Sequence, residues 1–468
     1  MVTSVIELQR VGFGYKERAE EILKDVNLSC RPGEITLVCG ATGSGKSTLI
    51  NLMAGLAPRF TGGSLTGKIL VDGVDLFESL ASQRPRLVGY VSQQSEGSFV
   101  AETVEKELAF TLEQLGVPAD QMRAEVQSTA DLVGLSGLLT RPVEALSGGQ
   151  QQRLAIGAAV IAKPRVLLLD EPTSELDDAG ARTLIELLSD LANELGIAVV
   201  IAEHHLERLI HVCERIVIVG QDGKVSAHDR DSGAAEAAAL GLMPTRESEA
   251  NPFRRIKEQE APGWRPRAPQ EEPAVKVAEL SVGHDGQTVI QDLTFEIAHG
   301  QALGLVGPNG SGKTTVLLTL AGELQAKAGS ILINGQTRLV PQNASDLLYL
   351  DSVAAELATT SQGLAQPTGD RRLANLLLGQ WIGPVNDNAH PRDLSSGQQL
   401  ALALAIQLSS GADILLLDEP TRGLDRRAKT KLAATLNALQ SAGKALVIAS
   451  HDLEFLNLVQ ARLVMLGA

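Results

Sequence analysis

The sequence predicts an α/β fold present in two copies, because two phosphate-binding loops recur, each preceded by an apolar strand and followed by an Asp-Glu pair. The loops lie at residues 40–47 and 307–314, and both fit the pattern G-x-x-x-x-G-K-[ST]. The apolar runs Ile35–Cys39 and Ala302–Val306 directly precede them and indicate buried parallel strands. Two such matches make a glycine-rich turn without a nucleotide untenable.

The chemistry of these loops is binding of a nucleotide phosphate. Glycine lets the backbone close around an anion so that successive N–H groups point at it, and the following helix adds its positive end. The Lys spans two phosphates, and the Ser or Thr takes a Mg²⁺ position. The candidate ATP-binding residues of the loops are Gly40, Thr42, Gly43, Gly45, Lys46, Ser47, Thr48, Gly307, Asn309, Gly310, Gly312, Lys313, Thr314 and Thr315.

Composition limits the class of protein. The chain has 468 residues, a net charge of −15 and only 3% aromatic residues, which argues against a nucleic-acid-binding surface. Its three cysteines are far apart, which predicts reduced, buried thiols. No run approaches the roughly 20 apolar residues of a membrane span, and residues 1–10 lack a signal-peptide pattern. We therefore expect a protein of the cytosol or of the cytoplasmic face of a membrane.

The two copies define the domain organisation. The distance from Ser147 to Asp170 is 23 residues, the same as from Ser395 to Asp418. Fixed spacing predicts a first domain at 1–228 and a second at 273–468, joined by a Pro-, Glu- and Arg-rich linker at 229–272. The linker's basic cluster is either a solvated tether or a contact with anionic lipid or a partner. Residues 102–145 predict a helical insert, with its counterpart at 352–393, and the first copy carries extra loop material near residues 58–65 and 76–87.

The Asp-Glu pairs end apolar strands, where ligands of parallel sheets bind. Asp170 and Asp418 are candidate Mg²⁺ ligands together with the loop hydroxyls of Ser47 and Thr314. The next residue in each copy is a candidate general base for the attacking water, Glu171 and Glu419. One glutamine per copy closes a strand before the helical insert and could reach both Mg²⁺ and water, namely Gln93 and Gln342.

A second anion-binding pattern opens a helix later in each copy. Its candidate residues are Ser147, Gly148, Gly149 and Gln150, and in the second copy Ser395, Ser396, Gly397 and Gln398. The candidate sensors of the γ-phosphate are His204 and His451, which each follow an apolar strand. A metal site at the pair formed by His204 and His205 lacks further ligands at suitable spacing. One phosphate cannot be gripped by both anion sites of one copy if these face apart, so we expect a head-to-tail internal pseudo-dimer.

The whole set resembles the tandem ATP-binding-cassette (ABC) ATPases: phosphate loop, glutamine, Leu-Ser-Gly-Gly-Gln signature, Asp-Glu strand, Leu-Asp pairs at residues 176–177 and 424–425, and switch histidine. The resemblance covers nearly the whole chain outside the linker. It implies two P-loop NTPase domains, each with a mainly parallel sheet, flanking helices, a small antiparallel β subdomain and a helical insert. It also implies ATP hydrolysis with Mg²⁺ and adenine stacking on Tyr15, with His284 at the corresponding place in the second copy. The second signature departs from the family pattern at Ser396.

More narrowly, the run from Ile201 to Arg208 and the fused layout resemble the ATPase component of energy-coupling factor (ECF) importers of vitamins and metals. This implies a peripheral protein on the cytoplasmic face of the membrane. Its partners would be a transmembrane coupling subunit and a substrate-binding membrane subunit, with no nucleic acid. Two alternatives stay open. One is the fused ATPase of a sugar importer, which usually has one degenerate site, and the other is a tandem-cassette translation factor acting on ribosomes.

Overall fold

The computed structural model describes residues 4–16, 20–41, 43–93, 99–174, 176, 178–204, 206–243, 272–283, 288–359 and 388–467. The chain divides into two compact units, Met1–Thr245 and Arg246–Ala468. The predicted boundaries at residues 228 and 273 stay a prediction.

The first unit is built on a sheet of apolar strands. Its strands are β1 (Ile6–Gly14), β2 (Leu23–Cys30), β3 (Ile35–Cys39), β4 (Ser64–Val71), β5 (Val74–Asp75), β6 (Val88–Val91), β7 (Val166–Asp170), β8 (Ala198–Ala202), β9 (Arg215–Val219) and β10 (Val225–Asp229). Its α-helices are α1 (Lys46–Met53), α2 (Arg84–Leu87), α3 (Val104–Gln114), α4 (Ala119–Leu132), α5 (Gly148–Val160), α6 (Asp178–Leu195), α7 (Leu206–Leu209) and α8 (Arg230–Ala239).

Among the described residues, β3 lies in the middle of the order β10-β9-β3-β8-β7-β6, and only β10 runs antiparallel to its neighbour. Every residue of β3 is buried because both faces of the sheet are covered: Leu37 packs into the cluster on one face and Val38 into the cluster on the other. A separate antiparallel sheet has the order β2-β1-β4-β5.

The second unit repeats this plan. Its strands are β11 (Val275–Val282), β12 (Ile290–Ile297), β13 (Ala302–Val306), β14 (Ala328–Ile333), β15 (Thr337–Val340), β16 (Ile414–Asp418), β17 (Ala445–Ala449) and β18 (Arg462–Met465). Its α-helices are α9 (Lys313–Ala321), α10 (Val353–Thr359), α11 (Ser396–Ser409), α12 (Arg426–Ser441) and α13 (Leu453–Leu458). The described strands form a parallel sheet, β15-β16-β17-β13-β18, and an antiparallel one, β12-β11-β14. The predicted α/β fold of both copies is thereby confirmed.

The predicted helical insert of the first copy contains α3 and α4, which pack on each other and on α5 through Leu108, Leu112 and Val126. In the second copy, residues 360–387 of the predicted insert lie outside the described residues. Within the part of the chain that the structure describes, no helix is long and apolar enough to cross a bilayer.

The start of the predicted linker is more ordered than a tether. Residues 230–239 form α8, and Ala237 is fully buried in the core of the first unit, against which Leu242 and Met243 also pack. A Cβ on Gly233 would lie 2.6 Å from Ile216 Cβ in β9, so this glycine lets the short helix lie close to the strand, which the composition of the linker did not indicate. Residues 244–271, with the basic cluster, lie outside the described residues.

Candidate active site

The phosphate loop of the first copy joins β3 to α1 and is held by its own lysine. The Lys46 side chain is buried, and its Nζ donates hydrogen bonds to the backbone oxygens of Gly40 at 3.0 Å and Ala41 at 3.3 Å. Lys313 repeats the arrangement in the second copy, where Nζ lies 2.8 Å from the oxygen of Gly307. Each ammonium group therefore lies against the loop in which it would help to bind a phosphate group.

A buried serine lies inside each loop and was missing from the sequence-based candidates. A Cβ on Gly40 would lie 2.5 Å from Ser44 Oγ and 2.5 Å from the backbone oxygen of Val219, and a Cβ on Gly307 would likewise lie 2.5 Å from Ser311 Oγ. The two serine hydroxyls are buried and have no hydrogen-bond partner among the described residues. Such an unpaired group is costly unless a ligand satisfies it, so both loops fit an anion. The shared Ser before Gly-Lys was the available sequence signal.

Two of the three predicted Mg²⁺ ligands, the loop hydroxyl and the aspartate, come together in each copy. Ser47 Oγ donates to Asp170 Oδ1 at 3.2 Å, and Thr314 Oγ1 donates to Asp418 Oδ2 at 2.7 Å. Burial raises the pKa of Asp170 to about 6 and also raises the pKa of Asp418, because little water reaches either carboxylate. A hydroxyl paired with a carboxylate is an oxygen donor set of the kind that Mg²⁺ prefers. Among described residues, no cluster of three His, Cys, Asp or Glu side chains suits a metal, so phosphate oxygens and water would complete this site.

In the first copy, Glu171 is held by two of the other candidate residues. Gln93 Nε2 donates to Glu171 Oε2 at 2.9 Å, and His204 Nε2 lies 3.0 Å from Glu171 Oε1. The side chains of Glu171 and His204 are each 9% exposed. The structure thus brings the glutamine, the candidate base and the histidine into one cluster at the carboxyl end of the sheet.

The second copy brings together a different set. His451 approaches Glu419 Oε2 through Nδ1, at 2.9 Å, and Lys313 Nζ lies 3.6 Å from Glu419 Oε1. At that distance the lysine is an ion-pair partner, and Oε1 has no hydrogen bond among the described residues. Gln342 is exposed, and no described contact joins it to Glu419. The two copies therefore share the residues but not the arrangement.

The signature serines cap their helices. Ser147 Oγ accepts a hydrogen bond from the Gln150 backbone N–H at 3.4 Å, and the Gln150 side chain accepts one from the Ser147 N–H at 2.9 Å. Ser395 and Gln398 form the same capping box at the start of α11. This arrangement leaves further N–H groups of the helix end to point outward. Ser396 is exposed, and a Cβ added at Gly423 would lie 3.5 Å from its Oγ.

Tyr15, the residue predicted to stack on adenine, is held in place by two neighbouring side chains. Tyr15 packs edge-on against Phe13, with ring centroids 4.9 Å apart, and its hydroxyl lies 3.3 Å from Thr48 Oγ1. Four residues singled out by the sequence lie outside the described residues, namely Thr42, Asp177, His205 and His284.

Comparison with known proteins gives one family. The sequence model of the family described as ABC transporter matches residues 23–174 and 290–422. A protein of Streptomyces coelicolor, provisionally named an ABC transporter ATP-binding protein, is 36% identical over 99% of this chain and 92% of its own. A Bacillus subtilis protein, provisionally named an HMP/thiamine import ATP-binding protein, is 28% identical over 97% of this chain and 88% of its own.

Among solved structures, an archaeal ribosome recycling factor in complex with a ribosomal stalk protein has a TM-score of 0.62. The match is 23% identical and covers 97% of this chain and 87% of that one. At this identity the likeness concerns the fold alone.

Proposed function

The chain belongs to the ABC transporter family and is an ATPase, and from this premise we propose that it energises a membrane importer of the ECF type. Both copies supply a phosphate loop, a Ser or Thr paired with Asp, and a Glu in contact with a histidine. That pairing in both copies is the observation that carries the proposal, because an ATPase with one degenerate half would lack it.

The residues divide the chemistry between them. The pairs Ser47–Asp170 and Thr314–Asp418 would hold the Mg²⁺ that accompanies ATP, and this ion would supply neutralisation of the charge that develops on the phosphate oxygens. Lys46 and Lys313 pair with phosphate oxygens from inside their loops. Glu171 and Glu419 accept the proton of the attacking water, and the histidine beside each one orients the carboxylate. Completion of each site by the signature of the other copy stays a prediction from the sequence.

A groove on the first unit supports a transport role. It has a volume of about 490 Å³ and lies between β6 and the helices α2, α3 and α5, with Phe60, Tyr90, Phe99 and Thr111 in its lining. Phe60 is 79% exposed, so its apolar ring in the lining of this groove is available to a partner. Gln93 lies two residues after the end of β6 and donates a hydrogen bond to Glu171. A helix of the coupling subunit bound in this groove could therefore shift Gln93 and, through it, the position of the base. We therefore place the protein at the cytoplasmic face of the membrane.

The substrate proposed is a vitamin or a metal ion. The relative named for HMP/thiamine import aligns over nearly all of this chain, which supports the vitamin class. The fused ATPase of a sugar importer remains the second candidate within the same chemistry, and the ribosomal factor shares only the fold.

The test is purification of the tagged full chain from detergent-solubilised membranes of its own cell. We expect two integral membrane proteins to accompany it and to raise its ATPase rate when reconstituted. The control is Phe60→Asp, which should lose the partners while binding ATP normally. Sedimentation with ribosomes in the presence of ATP, without membrane partners, would contradict the proposal.

A further inference from the structure

A carboxylate is buried beneath the first active site without any predicted role. Glu203 ends the apolar run of β8 and is 1% exposed. A buried carboxylate is strongly unfavourable unless several hydrogen bonds stabilise it. Its Oε2 accepts from the Thr173 N–H at 3.2 Å and from Thr173 Oγ1 at 2.6 Å, and its Oε1 accepts from the His204 N–H at 2.8 Å.

These hydrogen bonds join the two segments that carry the catalytic pair. Thr173 lies two residues after Glu171, in a turn where Ser174 Oγ donates to the Glu171 backbone oxygen at 2.8 Å. Arg208 holds the same turn from α7, since its guanidinium donates to the Thr173 backbone oxygen at 3.2 Å. The turn of the base and the backbone of the histidine are thus both fixed to one side chain.

The second copy lacks this connection. Ser450 stands at the place of Glu203, is fully buried, and accepts through Oγ from the Asp452 N–H at 3.1 Å. Phe455 replaces Arg208 and is buried in the core. The His451 side chain is 29% exposed, against 9% for His204. Loss of the buried carboxylate therefore goes with a more exposed histidine.

We infer that Glu203 is a positioning residue that holds Glu171 and His204 together, so that the first active site is the more rigid of the two. The hydrogen bonds that its carboxylate accepts come from Thr173 and His204, which lie outside the phosphate loop, and it acts on Asp170 through its charge, in addition to the burial of that group. Its loss should therefore slow hydrolysis without weakening ATP binding. The inference rests on ATP hydrolysis by the chain and not on import, so failure of the import proposal leaves it open to the same test.

The test replaces Glu203 by the residue of the second copy, in a Glu419→Gln background that leaves turnover to the first site. We expect Glu203→Ser to lower kcat about tenfold while KM for ATP changes less than about twofold. Glu203→Gln keeps the length of the side chain and one acceptor oxygen, so its kcat should lie within about threefold of the background value. The matched control is Ser450→Ala in a Glu171→Gln background, for which we expect less than about a twofold change in kcat.

Two results would overturn the inference: an unchanged kcat in Glu203→Ser, or a rise in KM without loss of kcat. If Glu203→Ser does not fold, Thr173→Val decides, because it removes the 2.6 Å hydrogen bond to Glu203 and keeps the carboxylate: a lowered kcat supports the inference, and an unchanged kcat assigns Glu203 to stability alone. If the Glu419→Gln background has no steady-state turnover, single-turnover hydrolysis in that same background gives the comparison.

Discussion

At the scale of single residues, the two candidate bases share an uncommon backbone state. Glu171 and Glu419 have φ values of 51° and 43°, in the left-handed region that residues with a side chain rarely occupy. Each is held there by a hydrogen bond from its N–H to the next strand, at 2.8 Å to the oxygens of Ala202 and Ala449. Backbone strain of this kind concentrates at functional sites, where the surroundings enforce it.

The double variant Glu171→Gln with Glu419→Gln tests both bases. An amide keeps the shape and the hydrogen bonds but cannot take a proton, so hydrolysis should fall at least about a hundredfold. ATP affinity, measured by titration calorimetry, should stay within about threefold of the parent because Lys46 and Lys313 are untouched. Hydrolysis near the parent rate would rule out both residues as general bases.

The thiols give a prediction on pH. Burial raises the pKa of Cys30 to about 11, of Cys39 to about 12 and of Cys213 to about 11. We expect no alkylation of the native protein by iodoacetamide at pH 8 and alkylation of all three in urea. Since the folded pKa values are raised above the ordinary 9.0, unfolding releases protons above about pH 9 and stability falls as the pH rises. In a variant with all three cysteines changed to Ala, stability should decrease less with rising pH. Urea midpoints measured at several pH values check this.

At the scale of elements, the loop between β3 and α1 is fixed by packing as much as by glycine flexibility. The backbone oxygen that a side chain at Gly40 would meet belongs to Val219, in β9 of the central sheet. A strand paired on both sides cannot move aside, so there is no room for even one methyl group.

Gly40→Ala should therefore distort the phosphate loop. Overpacking costs about 1–3 kcal/mol, and we expect ATP affinity to fall about tenfold or more. Gly137→Ala is the control, because a Cβ there would meet nothing within 4 Å. Equal ATP affinity of the two variants in calorimetry would show that the loop can adapt.

The sequence predicted the elements well because apolar runs and glycine patterns are local signals. The strands at Ile35–Cys39 and Ala302–Val306, both loops and the cap at Ser147 all follow from short-range pattern. The same signals could not tell that Gln93 contacts its glutamate while Gln342 is exposed. Nor could they show the role of Glu203, whose partner Thr173 is 30 residues away in the chain. Side-chain contacts of that range depend on how strands are ordered.

At the scale of the whole molecule, each unit has its own core on both faces of its parallel sheet. The first unit buries one cluster around Leu37 and another around Val38, and the second buries clusters around Leu415 and Leu416. Fusion of two such units raises the effective concentration of one for the other.

Fragments 1–245 and 246–468 should each fold alone, because neither cluster pair draws on residues of the other unit. We expect a cooperative thermal transition for each by circular dichroism. A fragment without such a transition would contradict this.

Hydrolysis by the dilute fragments, alone and mixed, tests the sequence-based expectation that the copies complete each other's sites. The hydrolysis rate should be low for each fragment alone and should rise with concentration when the fragments are mixed.

The two switch histidines approach their glutamates through different ring nitrogens, Nε2 in His204 and Nδ1 in His451. A carboxylate accepts only from a protonated nitrogen, so the neutral rings should be opposite tautomers. Nitrogen-15 NMR distinguishes the two forms by chemical shift, and His204→Gln and His451→Gln would assign the signals. The two halves of a duplicated enzyme would then be told apart by where a single proton resides, before any nucleotide is added.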